Sequence, residues 1–173
     1  MPTLQKKVCL LGDFAVGKTS LVRRFVYNRF DDRYISSIGV KVSRKTVAVA
    51  RINEVIDISM MLWDLAGSEE FSRMRASYLR GAAGAILVGD LTRPETFESL
   101  KMYVHDLRSL NPDAYFVLAA NKHDLNNQIQ LTQKEIAAIA NEFDIAYYLT
   151  SAKTGDNVEA LFRHLANLFI KSL

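Results

Sequence analysis

The chain has 173 residues, 49% hydrophobic and 24% charged, with a formal net charge of +3, which fits one ordinary globular domain over residues 1–173 and leaves little room for a second. A chain of this length buries about 70% of its unfolded surface, so it can fold without disulfides or a structural metal. Its single cysteine, Cys9, excludes an internal disulfide, and the absence of any apolar run near the roughly 18 residues of a span argues against a transmembrane helix. In chain order, Lys7 to Leu11 reads as a buried strand, with Cys9 inside it as an inert core residue, and Gly17 to Tyr27 as a helix. Val40 to Ala50 and Val55 to Trp63 read as neighbouring strands joined by the turn Arg51-Ile52-Asn53-Glu54. Ala82 to Asp90 is apolar without alternation, as in a strand covered on both faces. Helix starts are marked by capping boxes at Thr92-Arg93-Pro94-Glu95 and Thr132-Gln133-Lys134-Glu135, and by Asp156 with Glu159. The short strands Tyr115 to Ala119 and Ile145 to Leu149 lie between these helices. The alternation β-α-β-β-α-β-α-β-α-β-α implies a mostly parallel sheet with helices on both faces, whose ligands bind beyond the carboxyl ends of the strands.

The first of those ends carries Gly12-Asp13-Phe14-Ala15-Val16-Gly17-Lys18-Thr19, a match to G-x-x-x-x-G-K-[ST]. A loop bounded by glycines turns its backbone N–H groups around a phosphate, and the following helix adds its positive end. Lys18 would reach the terminal phosphates and the Thr19 hydroxyl would bind Mg²⁺. Such a loop does not choose its base, and three further segments bear on that choice. In Trp63-Asp64-Leu65-Ala66-Gly67, Asp64 can hold Mg²⁺ through water, and the Gly67 N–H can approach the γ-phosphate. In Asn121-Lys122-His123-Asp124, the Asp124 carboxylate can accept from both donors on one edge of guanine, which adenine lacks. Asn121 would tie this segment to the phosphate loop, and the stem of Lys122 would cover the base. In Ser151-Ala152-Lys153, the Ala152 N–H can donate to the guanine oxygen.

With these motifs in this order, the chain resembles a Ras-superfamily small GTPase along essentially its whole length. It looks most like the Rab family at Trp63 to Gly67 followed by Glu69, Glu70 and Phe71, at Tyr78-Leu79-Arg80-Gly81-Ala82-Ala83-Gly84-Ala85, and at Ile38-Gly39-Val40. The resemblance implies the three-layer α/β fold of P-loop GTPases, a mostly parallel six-stranded sheet with one antiparallel edge strand and helices on both faces. It extends the nucleotide-contacting set to Asp13, Phe14, Ala15, Val16, Gly17, Ser20 and Leu125, beside Lys18, Thr19, Asn121, Lys122, Asp124, Ser151, Ala152 and Lys153. It places a first switch over 29–39. There Phe30 packs on guanine, Tyr34 closes over the phosphates, and Ser37 binds Mg²⁺ together with Thr19 and Asp64. A second switch covers 66–78. Lys18, Ser37, Gly67 and Ser68 fall at the catalytic positions.

Departures from the family pattern also carry expectations. Ser68 stands where the family usually has the glutamine that orients water, so slow intrinsic hydrolysis is expected, with Glu69 as a less direct substitute. Phe14 replaces a small residue. Its ring either crowds an arginine finger or lies outward against the second switch. Ser37 lacks the methyl of the usual threonine, which predicts a less firmly ordered first switch. The implied function is a Mg²⁺-dependent GTP/GDP switch in membrane traffic or signalling that meets an effector, an exchange factor and an activating protein through its switches. The expected state is a cytoplasmic monomer that binds no nucleic acid. Membrane association would need a lipidated tail beyond Leu173 or a partner. The basic residues Arg23, Arg24, Arg29, Arg33, Arg44, Lys45 and Arg51 form either a solvated face or one that meets an acidic partner or anionic lipid. The alternatives are a GTP-gated binding module with negligible turnover and, against the evidence of Asp124, a P-loop kinase for a small metabolite.

Overall fold

The computed structural model of the chain describes residues 2–30, 40–65 and 75–173. Among them the sheet has six strands in the order β2-β3-β1-β4-β5-β6. These are β1 (Thr3–Leu11), β2 (Val40–Arg51), β3 (Glu54–Leu65), β4 (Ala82–Asp90), β5 (Tyr115–Asn121) and β6 (Ala146–Leu149). Only the edge strand β2 runs antiparallel, against β3; the other four pairings are parallel. The helices are α1 (Lys18–Tyr27), α2 (Glu95–Glu98), α3 (Leu100–Leu110), α4 (Gln133–Phe143) and α5 (Val158–Lys171), and residues 75–79 are also helical.

Alternate residues of the central strands feed two cores. Val8 and Leu10 of β1, with Ile86 and Val88 of β4, pack under α1 and α5. Cys9, Leu11 and Leu87 face the other way, toward Leu100, Val104 and Leu107 of α3 and Ile136 and Ala140 of α4. Both faces of β4 and of the second half of β1 are therefore buried, which is why those stretches show no polar alternation. α1 and α5 meet through a parallel stack of Phe25 on Phe162, with ring centroids 4.1 Å apart.

Three sequence expectations need correction. β1 begins at Thr3 rather than Lys7 and pairs with β3 from Thr3 opposite Asp57 onward. Its first half is polar because one side faces solvent, and Lys7 covers Trp63, with its Nζ 3.9 Å from the ring centroid. The Thr92 box does not form. Pro94 occupies the N-cap of α2, while the Thr92 hydroxyl donates to the Asp90 carboxylate at 2.7 Å. A buried carboxylate two residues away is a stronger partner than a distant helix amide. The helical run also divides at Ser99, whose hydroxyl donates to Asp13 at 2.6 Å. Finally, α5 starts at Val158 behind a left-handed Asn157, not at Asp156. The Asp156 N–H is spent on the Thr154 hydroxyl, inside the tight turn that follows β6. The Thr132 box forms as the sequence predicts, with Thr132 and Glu135 bonding reciprocally.

Candidate nucleotide site

The carboxyl ends of β1, β3, β5 and β6 converge, and each delivers one of the sequence motifs. The loop after β1 is shaped by its glycines. A Cβ on Gly12 would drive into the Val88 carbonyl oxygen, and one on Gly17 into the Asn121 side-chain amide. Gly17 also lies at φ +105, in the region that L side chains rarely adopt. Lys18 opens α1 and folds its Nζ back onto the Gly12 and Asp13 carbonyls, at 2.8 and 3.0 Å. Burial pushes its ammonium down to about 8, against the raising influence of Asp64 and Asp13.

Thr19 donates its hydroxyl to Oδ2 of Asp64 at the end of β3, and Asp64 is only 2% exposed. A hydroxyl and a buried carboxylate in direct contact form the hard-oxygen donor set that suits Mg²⁺. The Asp13 carboxylate turns away toward α3 and accepts from Ser99 at 2.6 Å and Tyr103 at 3.4 Å. Burial first, and then Asp13, push the Tyr103 phenol up to about 12. Phe14 is 54% exposed, and its carbonyl accepts from Arg93 at 2.7 Å.

The base side is tied to the same loop. Asn121 ends β5 almost fully buried, donating from Nδ2 to the Val16 carbonyl at 3.0 Å and accepting from the Thr150 hydroxyl at 3.1 Å. Lys122, at φ +70, donates to the Ala15 carbonyl and to Asp90, each at 2.8 Å. Burial raises the Asp90 carboxyl, but hydrogen bonds from Lys122 and Thr92 outweigh it and hold the group below its ordinary value. Asp124 accepts from the Ser151 hydroxyl at 2.8 Å, so the two base motifs join directly. The Leu125 N–H closes that turn on the Lys122 carbonyl. Ala152 is buried and Lys153 exposed, and Arg24 of α1 donates to both of their carbonyls, at 2.8 and 2.5 Å. Ser20 lies half-buried in the first turn of α1, and Phe30 packs against the core beneath α1 and α5. Tyr34, Ser37, Gly67 and Ser68 lie outside the described residues, as do 31–39 of the first switch and 66–74 of the second.

Residues 7–171 match the Ras family. The chain belongs to the Ras family. It is 37% identical over 166 residues to the GTP-binding protein ypt4 of Schizosaccharomyces pombe, covering 95% of this chain and 71% of that protein. It is 39% identical over 163 residues to the Ras-related protein Rab-22A of Mus musculus, covering 94% of this chain and 82% of that protein. These relatives place it on the Rab-like side of the family, among GTP-binding GTPases.

Among the described residues of this Ras-family site, Arg24, Asp90, Arg93, Ser99, Tyr103 and Thr150 sit outside the motifs yet hold motif residues in place. Asp90 carried one signal in the sequence, as a carboxylate closing an apolar strand. Thr150 carried another, as the hydroxyl just before Ser151. Arg24 looked like one more basic residue of a charged helix.

Proposed function

We propose that this Ras-family protein is a Mg²⁺-dependent GTP/GDP switch in membrane traffic, with slow intrinsic hydrolysis. The observation that carries the reading is the hydrogen-bonded union of base and phosphate motifs. Asn121 and Lys122 hold the phosphate loop at Val16 and Ala15, while Ser151 holds Asp124. A carboxylate fixed this way accepts from N1–H and the 2-amino group of guanine, and adenine would offer it no matching pair of donors.

Hydrolysis, in this reading, is in-line attack of water on the γ-phosphate, and the chain contributes position and charge rather than a nucleophile. Lys18 neutralises the terminal phosphate oxygens. Thr19 and Ser37 would hold Mg²⁺, with Asp64 behind a water. The ion supplies further neutralisation of the phosphate oxygens when bound. The Gly67 N–H would hold the γ-phosphate, and a serine at 68 is too short to orient water as a glutamine would. Loss of the γ-phosphate releases the loops 29–39 and 66–78, through which an effector, an exchange factor and an activating protein would read the state. The setting is the cytoplasmic face of a membrane, reached through a tail or a partner.

Exchange of the base acceptor tests this reading. In Asp124→Asn, the amide offers a donor where guanine also offers one. The variant should lose GTP affinity by two orders of magnitude or more and gain affinity for xanthosine triphosphate. Unchanged GTP binding would overturn the base assignment. Single-turnover hydrolysis, with and without a cell lysate, separates a slow GTPase from a binding module with negligible turnover, the reading that Ser68 and Phe14 favour.

A further inference from the structure

Arg93 belongs to none of the nucleotide motifs, yet it reaches the tip of the phosphate loop. It sits in the turn after β4, with its N–H on the Asp90 carbonyl at 2.9 Å. One arm of its guanidinium, Nε, donates to Asp90 Oδ2 at 3.1 Å, and another, Nη2, donates to the Phe14 carbonyl at 2.7 Å. Asp90 is fully buried and uses both oxygens. Oδ1 accepts from the Thr92 N–H and hydroxyl at 2.8 and 2.7 Å, and Oδ2 accepts from Arg93 and from Lys122. One carboxylate therefore joins the two cations that hold consecutive carbonyls of the loop, Phe14 through Arg93 and Ala15 through Lys122.

The consequence follows from peptide geometry. In a planar trans peptide the C=O of one residue and the N–H of the next point in opposite directions. The carbonyls of Phe14, Ala15 and Val16 are drawn outward by Arg93, Lys122 and Asn121, at 2.7, 2.8 and 3.0 Å. The N–H groups of Ala15, Val16 and Gly17 are turned away from those donors as a set. Ala15 holds φ +61, a left-handed conformation that alanine rarely adopts unless its surroundings fix it. Successive N–H groups in such a turn form an anion-binding nest.

We propose that Arg93, oriented by Asp90, is a positioning residue for the phosphates: by pinning the Phe14 carbonyl outward it aims the Ala15 N–H at the nucleotide. This rests on the reading of the loop as a guanine-nucleotide site. Arginine suits the task because its planar fork serves two acceptors at once, whereas a lysine ammonium that stays on Asp90 has no second arm for Phe14.

The test uses the full chain loaded with GDP in excess Mg²⁺. Dissociation of a fluorescent GDP and the phosphorus resonance of the bound β-phosphate are measured for the wild type, Arg93→Ala, Arg93→Lys and Thr132→Ala. Thr132→Ala weakens a remote helix cap and serves as the control for simple destabilisation. Arg93→Ala should release GDP about tenfold faster, the scale of one charge-assisted hydrogen bond, and shift the β-phosphate resonance. Thr132→Ala should do neither. Should Arg93→Ala not fold, Arg93→Lys gives the same comparison. Release at the wild-type rate, or faster release with the resonance unmoved, overturns the assignment of Arg93. A wild-type chain that retains no guanine nucleotide overturns the nucleotide reading itself, so the two failures are distinguishable.

Discussion

Gly17 shows how narrowly the phosphate loop is specified. Its φ of +105 and the Asn121 amide beside it leave no place for a methyl group. In Gly17→Ala the strained backbone alone costs about 1–3 kcal/mol, and relief of the clash would push Asn121 off the Val16 carbonyl. The expected outcome is a chain that purifies without nucleotide and melts at lower temperature, checked by chromatography of the extracted nucleotide and by thermal unfolding. Ser68 tests the chemistry instead. Restoring a water-orienting side chain in Ser68→Gln should raise single-turnover GTP hydrolysis at least about tenfold while leaving GDP release unchanged. An unchanged rate would mean that Ser68 does not limit hydrolysis. At this scale the loop, the base motif and the residues Thr19 and Asp64, which the structure brings into contact, could be singled out because each motif is a short run of adjacent residues. Arg24 and Arg93 were not, because their acceptors lie 128 and 79 positions away along the chain. A basic residue on a helix or in a turn looks the same in sequence whether it faces solvent or a carbonyl.

Two threonine boxes with the same spacing met different fates, and the cause lies in what each helix start adjoins. Thr132 faces solvent and bonds reciprocally with Glu135, so the local signal prevails. Thr132→Ala should cost about 1 kcal/mol, lowering the unfolding midpoint by roughly 2–4 °C without altering nucleotide release. Thr92 instead lies two residues after a buried carboxylate, and tertiary chemistry overrides the cap. The division of the following helix at Ser99 has the same origin, since its hydroxyl serves Asp13. The β4–α2 turn therefore belongs to the site more than to the helix. Its keystone has a pH signature. The Asp90 carboxyl is held below its ordinary value, so its contribution is complete above about pH 4, the unfolded-state value, and is lost as pH falls through the lower folded value. Asp90→Asn should be less stable than wild type at pH 7 by about 2 kcal/mol, the range of a hydrogen bond to a charged group. That gap should narrow on acidification below pH 4, which urea midpoints measured across the range would show. A gap independent of pH would mean that the ionised form of Asp90 is not what the turn depends on.

Across the whole molecule, the site joins two halves of the chain, the phosphate loop with α1 and the base loops with α5. α1 leaves the phosphate loop and α5 leaves the base loop, and the two pack through Phe25 and Phe162. Arg24 ties α1 to the Ala152 and Lys153 carbonyls, while Asn121 ties β5 to the phosphate loop. The alternation of strands and helices made the layers legible, but strand order depends on crossovers that leave no mark on any one segment. With the site built between halves, guanine nucleotide should act as a cross-brace, binding the folded chain and not the unfolded one. At a free GDP concentration of about 1,000 times Kd, linkage adds about 4.1 kcal/mol to stability. For a domain of this size that raises the unfolding midpoint by roughly 8–16 °C, at about 2–4 °C per kcal/mol. ADP at the same concentration carries the same phosphates but presents no donor pair to Asp124, and should raise the midpoint far less. Thermal scans with each nucleotide in excess Mg²⁺ measure the difference. Equal shifts from GDP and ADP would mean that the base loops contribute little and that the phosphates alone hold the halves together.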